Sequence, residues 1–239
     1  MTEFLYGRHA ITETLRAERR VVHRLLVASG TQGLDELLHA AQQRHVPVAW
    51  VERRQLDRLQ PGHHQGVLAE VSPFAYARLD ELVLGSRPLL LLLDSLQDPQ
   101  NFGTLLRTAQ STGVDGVVIP EHRSVGVTPA VVNASAGAVE HLSIARETNL
   151  VRVIESLKAR NVWVYGLAVD AQRPYWDVDW TAASAAVVGA EGPGLGRLVR
   201  KTCDDLIRVP VAPGAVQSLN AGVAGSLVLY EAFRQRASQ

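Results

Sequence analysis

The sequence is poor in cysteine, in lysine and in net charge. Cys203 is the only cysteine among 239 residues, which excludes an internal disulfide framework and a cysteine-based zinc site. We therefore expect a reducing compartment and no metal site. The 24 basic and 24 acidic residues cancel, so bulk charge does not indicate nucleic-acid binding. Lys158 and Lys201 are the only lysines, and arginine, the better bidentate ligand for phosphate, supplies the other basic side chains.

Long apolar segments are also absent. The first ten residues, MTEFLYGRHA, do not combine a charged region with an apolar stretch, as a secretory signal would. The longest apolar run is too short to cross a bilayer. These absences predict a cytoplasmic protein with no membrane partner.

The second part of the chain, from Leu89 onward, alternates apolar strands with helical segments. Continuous apolar runs such as PLLLLLD and AAVVGA are typical of a parallel sheet that is covered on both faces. The pattern predicts a doubly wound α/β domain. The predicted strands are 89–94, 116–120, 162–168, 185–189 and 206–209, and the predicted helices are 101–112, 128–134, 150–160, 195–202 and 219–234.

The first part of the chain, residues 1–71, is shorter and contains six of the eight histidines. Its pattern predicts a small α/β domain, with helices from about Gly7 and over 33–45 and strands at 24–29, 48–51 and 66–71. Residues 72–87 have proline and glycine at their edges and one helical turn inside, which is typical of a linker. We expect a domain of residues 1–71, a linker of residues 72–87 and an α/β domain of residues 88–239.

The loop after the first strand of the α/β domain has an unusual set of polar residues, in the sequence QDPQNFGTLLRTAQ. Ligands of open parallel sheets bind beyond the carboxyl ends of the strands, so this loop is a candidate site. Arg107 falls well off the apolar stripe that Leu105, Leu106 and Ala109 form. A plain structural interpretation stays open, in which Asn101 caps a surface helix and Arg107 faces water.

A second candidate loop, VVGAEGPGLG, only partly matches a dinucleotide-binding fingerprint. Its glycine spacing is wrong, Pro193 removes a backbone donor, and Glu191 would set a carboxylate against a pyrophosphate. Because no lysine follows, a Walker phosphate loop is excluded as well. The loop suits a ligand that lacks phosphates and carries positive charge, or else a tight turn in which Glu191 helps to cap the next helix.

A third candidate loop lies within IRVPVAPGAVQSLNAGVAGSLVLYE, where Ser218 and Asn220 stand at a helix start. Both are helix-capping residue types, so a structural role explains them as well as a functional one. The helix that follows is rich in Ala, Gly and Ser. Gly222 and Gly225 each cost about 1 kcal/mol relative to alanine, which indicates close packing either within the chain or between subunits.

Together, the segments NFGTLLR, VVGAEGPGL and IRVPVAPGAVQSLNAGVAGSLVLYE resemble the three motifs of the SpoU family of SPOUT methyltransferases in order, spacing and position. The resemblance implies S-adenosylmethionine-dependent 2′-O-methylation of RNA and a catalytic domain with a deep trefoil knot. LYGRHAITETL and HHQGVLAEV resemble the ribosomal-protein-like substrate-binding domain of the bacterial branch that methylates guanosine ribose in large-subunit ribosomal RNA. One departure is VAPGAV, which is one residue longer at positions 212 to 213 than the family pattern.

The resemblance implies three sets of site residues. The set that binds S-adenosylmethionine, chiefly through backbone groups, is Gly189, Val209 and Leu219. The catalytic set around the ribose acceptor is Asn101, Arg107, Glu191, Ser218 and Asn220. The set that contacts RNA is Arg8, His64 and Gln65.

Within the catalytic set, the family assigns Arg107 to deprotonate or polarise the ribose hydroxyl. Because the pKa of arginine lies above about 12, we favour phosphate anchoring and charge stabilisation as its role. Asn101, Ser218 and Asn220 would orient Arg107 and the ribose, while Glu191 would fix the loop and pair with Arg107. The family also implies a homodimer whose active site spans two subunits.

Several alternatives stay open. His64 and Gln65 also suit a simple loop before the strand that begins at Gly66. A transfer-RNA ribose methyltransferase and a non-catalytic RNA-binding protein of the same fold are the nearest rival functions. A nicotinamide oxidoreductase is the generic reading of an α/β domain, and the missing fingerprint argues against it.

Overall fold

The structure is a computed structural model and describes residues 2–82, 85–212, 214 and 218–238. Its chain forms two compact units, of which the first comprises Met1–Ala75 with Val127–His141 and the second comprises Tyr76–Gly126 with Leu142–Gln239. The chain thus passes between the units three times. The predicted boundaries of independently folding domains stay a prediction, as does the trefoil knot.

The secondary structure has the following bounds. The strands are β1 Glu3–Tyr6, β2 Val22–Ala28, β3 Val48–Val51, β4 Val67–Val71, β5 Leu89–Asp94, β6 Gly116–Pro120, β7 Ile144–Glu147, β8 Trp163–Leu167, β9 Arg173–Pro174, β10 Ser184–Gly189 and β11 Asp205–Arg208. The α-helices are α1 Arg8–Ala17, α2 Asp35–Gln43, α3 Arg53–Leu59, α4 Pro99–Ser111, α5 Pro129–Ala134, α6 Leu150–Lys158, α7 Arg197–Thr202 and α8 Ala221–Ala237. Every predicted helix and strand is present.

The first unit has a four-stranded sheet in the order β1-β4-β2-β3. β4 pairs antiparallel with both β1 and β2, whereas β3 pairs parallel with β2. Sequence analysis did not predict β1 or α3, because four residues are too few to show a strand alternation and α3 is a short helix dominated by charged residues.

The segment Val127–His141 packs within the first unit although it follows β6 of the second. Its side chains Val131, Val132 and Val139 are buried. Asn133 Nδ2 donates a hydrogen bond to the carbonyl oxygen of Tyr6 at 3.2 Å. Sequence periodicity located α5 correctly but could not show which unit buries its apolar face, because that depends on packing between distant parts of the chain.

A buried ion cluster joins this segment to the start of the chain. The Arg20 side chain is almost fully buried and donates to Glu3 at 2.9 Å and to Glu140 at 3.2 Å. Glu140 is fully buried, and this burial raises the pKa of its carboxyl while the Arg20 charge opposes the rise. Arg20 also lies over the ring of Phe74, at 5.1 Å from the ring centroid.

We expect Arg20→Ala to destabilise the protein by about 3 to 5 kcal/mol, because it leaves the Glu140 carboxylate buried without its partner. Without Arg20 the raised pKa of Glu140 should rise further. A carboxyl whose pKa is higher in the folded than in the unfolded protein contributes stability below its unfolded pKa, and this stability is lost as pH rises through its folded pKa. The destabilisation caused by Arg20→Ala should therefore grow toward neutral pH. Urea unfolding across a pH series measures this, with Arg24→Ala, which breaks a more exposed pair with Glu70, as the control. Similar small effects from both variants would contradict the prediction.

The second unit has a seven-stranded sheet in the order β7-β6-β5-β10-β8-β11-β9. All of its pairings are parallel, as the continuous apolar strands predicted. All six residues of β5 and of β10 are buried, since these two strands pair at the centre of the sheet and are covered on both faces. β9 was not predicted because it has only two residues.

The start of α4 decides against one of the two interpretations of Asn101 that the sequence left open. The N-cap is Asp98, whose carboxylate accepts hydrogen bonds from the backbone nitrogens of Gln100 at 3.2 Å and Asn101 at 3.0 Å. Pro99 is the first helical residue, where its missing N–H has no cost. Asn101 therefore does not cap the helix, and its side chain is available for another contact.

The small residues of α8 pack within the chain. A β-carbon on Gly225 would lie 2.5 Å from Leu105 Cδ2 of α4 and 3.0 Å from Val188 Cγ2 of β10. Ser226 and Thr108 of α4 are hydrogen-bonded at 2.8 Å. Of the two explanations that the sequence left open for these small residues, the structure therefore supports the first, close packing of α8 against α4.

Candidate active site

The site lies where strands of the second unit end. The carboxyl ends of parallel strands meet at one edge of the sheet, and the three candidate loops follow β5, β10 and β11. A cavity of about 570 Å³ opens among the last two of these loops and the loop after β8. Its lining includes the segments 167–170, 188–195, 207–211 and 218–221.

Three polar side chains from all three loops form one hydrogen-bonded cluster. Asn101 Nδ2 donates to Glu191 Oε1 at 2.8 Å, and Asn220 Nδ2 donates to the same oxygen at 2.5 Å. Asn220 Nδ2 also lies 2.8 Å from Asn101 Oδ1. Within this chain Glu191 does not pair with Arg107, and the two asparagine amides bind one of its carboxylate oxygens instead.

Local structure places each member of this cluster. Asn101 is in the first turn of α4, because the Asp98 cap starts that helix three residues earlier. Asn220 is the N-cap of α8, and its Oδ1 accepts a hydrogen bond from Val223 N at 3.2 Å. Asn220 therefore caps α8 and also belongs to the hydrogen-bonded cluster. Glu191 is in the exposed loop after β10 and caps no helix among the described residues.

The loop after β10 is held by backbone contacts that only glycine permits. A β-carbon on Gly189 would lie 2.5 Å from both the carbonyl oxygen of Gly194 and the backbone nitrogen of Leu195. Gly194 N donates to Ala190 O at 3.0 Å and closes the loop. Gly189 is therefore required for the tight return of the chain at the cavity.

Asp94 is a structural member of the site that the sequence analysis missed. It is the last residue of β5, is buried, and accepts a hydrogen bond from Gly196 N at 2.6 Å through Oδ2. This bond joins the end of β5 to the end of the glycine-rich loop. The sequence feature that could have revealed Asp94 is a carboxylate directly after five leucines, where a purely structural strand would continue with apolar residues.

The cavity contains acidic groups and no lysine among its lining residues. Glu191 lines one part, and Asp170 lines another, where Arg200 binds it with two hydrogen bonds of 2.9 and 2.8 Å. These hydrogen bonds from Arg200 hold the pKa of the Asp170 carboxyl below its usual value. The remaining lining is mostly apolar side chains and glycine-rich backbone. Arg208 also lines the cavity, so the lining carries both signs of charge, and its size fits a small ligand.

The structure brings some, but not all, of the predicted site residues together at this cavity. The predicted cofactor-binding residues Gly189, Val209 and Leu219 all line the cavity, as does Ser218. Arg107 does not line it, is exposed on α4, and has no side-chain partner among the residues that the structure describes. The predicted extra residue of the third loop falls at Pro213, which lies outside the described residues.

The predicted RNA contacts lie in the first unit. Gln65 Oε1 accepts a hydrogen bond from Arg8 N at 3.0 Å, and both residues line a second cavity. His64 is fully buried. Its Nε2 lies 2.8 Å from Asp57 Oδ1, and its Nδ1 accepts a hydrogen bond from Gly66 N at 3.0 Å. The ring of His64 thus fixes the loop before β4 and presents no surface to a ligand.

The described part of the chain contains neither a candidate membrane span nor a candidate metal site. No helix there is both long enough and apolar enough to cross a membrane. No three His, Cys, Asp or Glu side chains there are grouped as a metal ion would need.

Two family profiles match the chain. Residues 88–230 match the SpoU rRNA Methylase family. Residues 4–77 match the profile described as RNA 2′-O ribose methyltransferase substrate binding.

Similar proteins match almost the full chain. A Bacillus subtilis (strain 168) protein named as a TrmH family tRNA/rRNA methyltransferase is 40% identical over 240 residues, covering 98% of this chain and 96% of that protein. A Staphylococcus aureus (strain COL) protein with the same family name is 40% identical over 239 residues, covering 97% and 96%. The crystal structure of the SpoU methyltransferase AviRb from Streptomyces viridochromogenes, in complex with the cofactor AdoMet, has a TM-score of 0.84 at 24% identity and covers 100% of this chain and 92% of that one.

Proposed function

Since this chain belongs to the SpoU rRNA methylase family, we propose that it methylates the 2′-hydroxyl of a guanosine ribose in large-subunit ribosomal RNA. The methyl donor is S-adenosylmethionine. The observation that carries the proposal is the hydrogen-bonded cluster of Asn101, Glu191 and Asn220, of which Glu191 and Asn220 line a cavity of about 570 Å³. This cluster joins three separate loops at the edge of the sheet where ligands of parallel α/β folds bind.

The cavity suits this cofactor in size and charge. S-adenosylmethionine supplies a methyl group that the positive charge of its sulfonium already activates for displacement. Backbone groups of Gly189, Val209 and Leu219 would bind its adenine, because main-chain donors and acceptors are what these positions offer. The lining carries both signs of charge, with Glu191 and Asp170 beside Arg200 and Arg208, which suits a ligand that has cationic groups and a carboxylate.

The residues around the acceptor then orient and polarise the ribose. Asn101 and Asn220 are held by Glu191, so their positions are fixed before any ligand binds, and much of the rate enhancement comes from such orientation. Arg107 stabilises negative charge on the attacking oxygen and anchors a neighbouring phosphate. Because it does not line the cavity of its own chain, we propose that it acts in an active site completed by a second subunit, with Ser218 orienting the ribose.

Ribosomal RNA is favoured over transfer RNA by the first unit. Residues 4–77 match a substrate-binding domain, and related transfer-RNA ribose methyltransferases often have terminal extensions in its place. The named relatives leave both RNAs open, since their names give tRNA and rRNA together. Arg8 and Gln65 would contact the RNA, and His64 would contribute indirectly by fixing the loop that carries Gln65.

The decisive experiment is methyl transfer from labelled S-adenosylmethionine to separated ribosomal subunit RNAs and to transfer RNA. Nuclease digestion and mass spectrometry should then show 2′-O-methylguanosine in large-subunit RNA alone. Methylated nucleosides in transfer RNA only would establish the rival substrate. Binding of RNA without any methyl transfer would establish the non-catalytic alternative.

We further propose a cytoplasmic homodimer with a trefoil knot in the second unit. The support for the dimer is an exposed apolar stripe on α8. Its members are Val223, Leu227, Tyr230 and Phe233, which are between 38% and 53% exposed. Helical positions 223, 227 and 230 share one face, so the stripe is continuous.

Leu227→Glu is expected to weaken the dimer by about 2 kcal/mol or more, roughly thirtyfold, because it puts a charge within an apolar interface. Analytical ultracentrifugation over a concentration series measures the association. Leu198→Glu is the matched control, since Leu198 is also exposed but lies on α7. A natural protein that sediments as an active monomer would refute the dimer.

A further inference from the structure

The first unit contains a cavity of about 620 Å³ at one end of its sheet. Four separate segments line it, namely the start of α1, the loop after β2, the start of α3 and the loop before β4. The lining residues are Arg8, His9, Ala28, Ser29, Gly30, Thr31, Gln32, Arg53 and Gln65. None of these is acidic, and two are arginines.

The two arginines of this cavity are not neutralised. In the described chain, neither Arg8 nor Arg53 has a carboxylate within ion-pair distance. This differs from many other arginines, which pair with acids; examples are Arg16, Arg20, Arg24, Arg44, Arg78, Arg173, Arg200 and Arg234. Since the whole chain has zero net charge, local positive charge of this kind is what would attract an anion.

The cavity walls are fixed by contacts between the loops. Gly66 has a φ of +78°, and a β-carbon there would lie 2.8 Å from Thr31 Cγ2, so a larger residue would separate the two loops. Arg8 Nη1 donates to Gly33 O at 3.3 Å, and its buried Nε has no partner among the described residues. The cavity is therefore already formed before any ligand binds.

We propose that this cavity binds one unpaired nucleotide of the RNA substrate, with Arg8 and Arg53 on its phosphates and the Gln65 amide on the base edge. The proposal rests on the proposed function, because it takes RNA as the substrate. A paired base cannot enter a cavity, whereas a bulged or loop nucleotide presents both its base edge and its phosphates. The volume lies in the range of nucleotide-sized pockets. Since no Phe, Tyr or Trp lines the cavity, the base stacks on a guanidinium or on the imidazole of His9.

The test compares two RNA probes, a fully paired duplex and the same duplex with a single unpaired nucleotide. Fluorescence anisotropy measures the affinity of the full-length protein for each probe over a salt series. The cavity variants are Arg53→Ala and Gln32→Glu, neither of which removes a side-chain contact within the described chain. The matched controls are Arg54→Ala and Gln55→Glu, which make the same charge changes at exposed positions outside the cavity.

We expect the natural protein to prefer the bulged duplex, and both cavity variants to lose about tenfold in affinity for it. Arg53→Ala should also lower the salt slope by about 0.7 to 0.9, as for one lost phosphate contact. Equal binding of both probes, or cavity variants that bind like their controls, would overturn the proposal. Methyl-transfer assays keep the two hypotheses apart: failure to methylate any RNA argues against the proposed function, while the cavity is judged by binding alone.

Discussion

Replacing Arg107 by alanine should lower the rate of methyl transfer about a thousandfold while leaving the affinity for S-adenosylmethionine unchanged. Arg107 is on α4 and does not line the cavity, so its loss removes no cofactor contact of its own chain. It is also exposed and has no side-chain partner among the described residues, so the fold should not be affected. Single-turnover methylation and calorimetric titration with S-adenosylmethionine measure the two quantities separately.

Two further variants sharpen this experiment. Arg152→Ala removes another exposed arginine of the second unit without a side-chain partner in the described chain, and it should retain full activity. Arg107→Lys keeps the charge but loses the planar fork of donors, so it should retain more activity than Arg107→Ala if charge stabilisation is the role of Arg107. If Arg107→Ala loses cofactor affinity together with activity, Arg107 contacts the cofactor, and its assignment to the ribose acceptor is wrong.

The parallel sheet was the most predictable part of the fold. Continuous apolar runs such as the one in β5 arise because a central parallel strand is covered on both faces, and this requirement is visible in the sequence itself. Elements with little apolar periodicity were missed, as β1, α3, β7 and β9 show. The packing of Val127–His141 into the first unit was not predictable either, because it depends on a buried ion cluster whose members are 120 positions apart in the chain.

The candidate site was predictable as a set of loops but not as a set of contacts. Polar residues after β5, β10 and the β11 loop indicated a shared site, and Asn101, Glu191 and Asn220 do meet there. The sequence left open whether Asn101 caps α4 or belongs to the site, because aspartate and asparagine are both good N-caps and only the three-dimensional structure distinguishes Asp98 from Asn101. The capping by Asp98 has a functional consequence, since it leaves the Asn101 amide free to bind Glu191.

His64 and Arg53 of the first unit show the same limit of prediction from the sequence. The sequence HHQG favoured a loop that contacts a ligand, yet His64 is buried with both ring nitrogens hydrogen-bonded. A single histidine gives no signal that separates a ligand contact from a structural one. Arg53, in contrast, had no motif to single it out and lines a cavity together with Arg8 and Gln65.

Gly189→Ala should abolish the cofactor pocket while leaving most of the protein folded. The added β-carbon would lie 2.5 Å from both the Gly194 carbonyl oxygen and the Leu195 backbone nitrogen, which are backbone atoms that cannot rotate away. The loop that carries Glu191 must therefore move, and with it the hydrogen bonds to Asn101 and Asn220. We expect an affinity for S-adenosylmethionine about a hundredfold lower, or about 2.7 kcal/mol, because residues 189–195 of the displaced loop line the cavity.

The control for this variant is a glycine with a similar steric conflict far from the cavity. Gly116 begins β6 at the opposite edge of the sheet, and a β-carbon there would lie 2.8 Å from Leu82 Cβ. Both variants should be destabilised by about 1 to 3 kcal/mol, as measured by urea unfolding. Calorimetric titration should then show normal cofactor affinity for Gly116→Ala and a large loss for Gly189→Ala. Equal affinity losses would mean that general destabilisation, and not the loop after β10, controls cofactor binding.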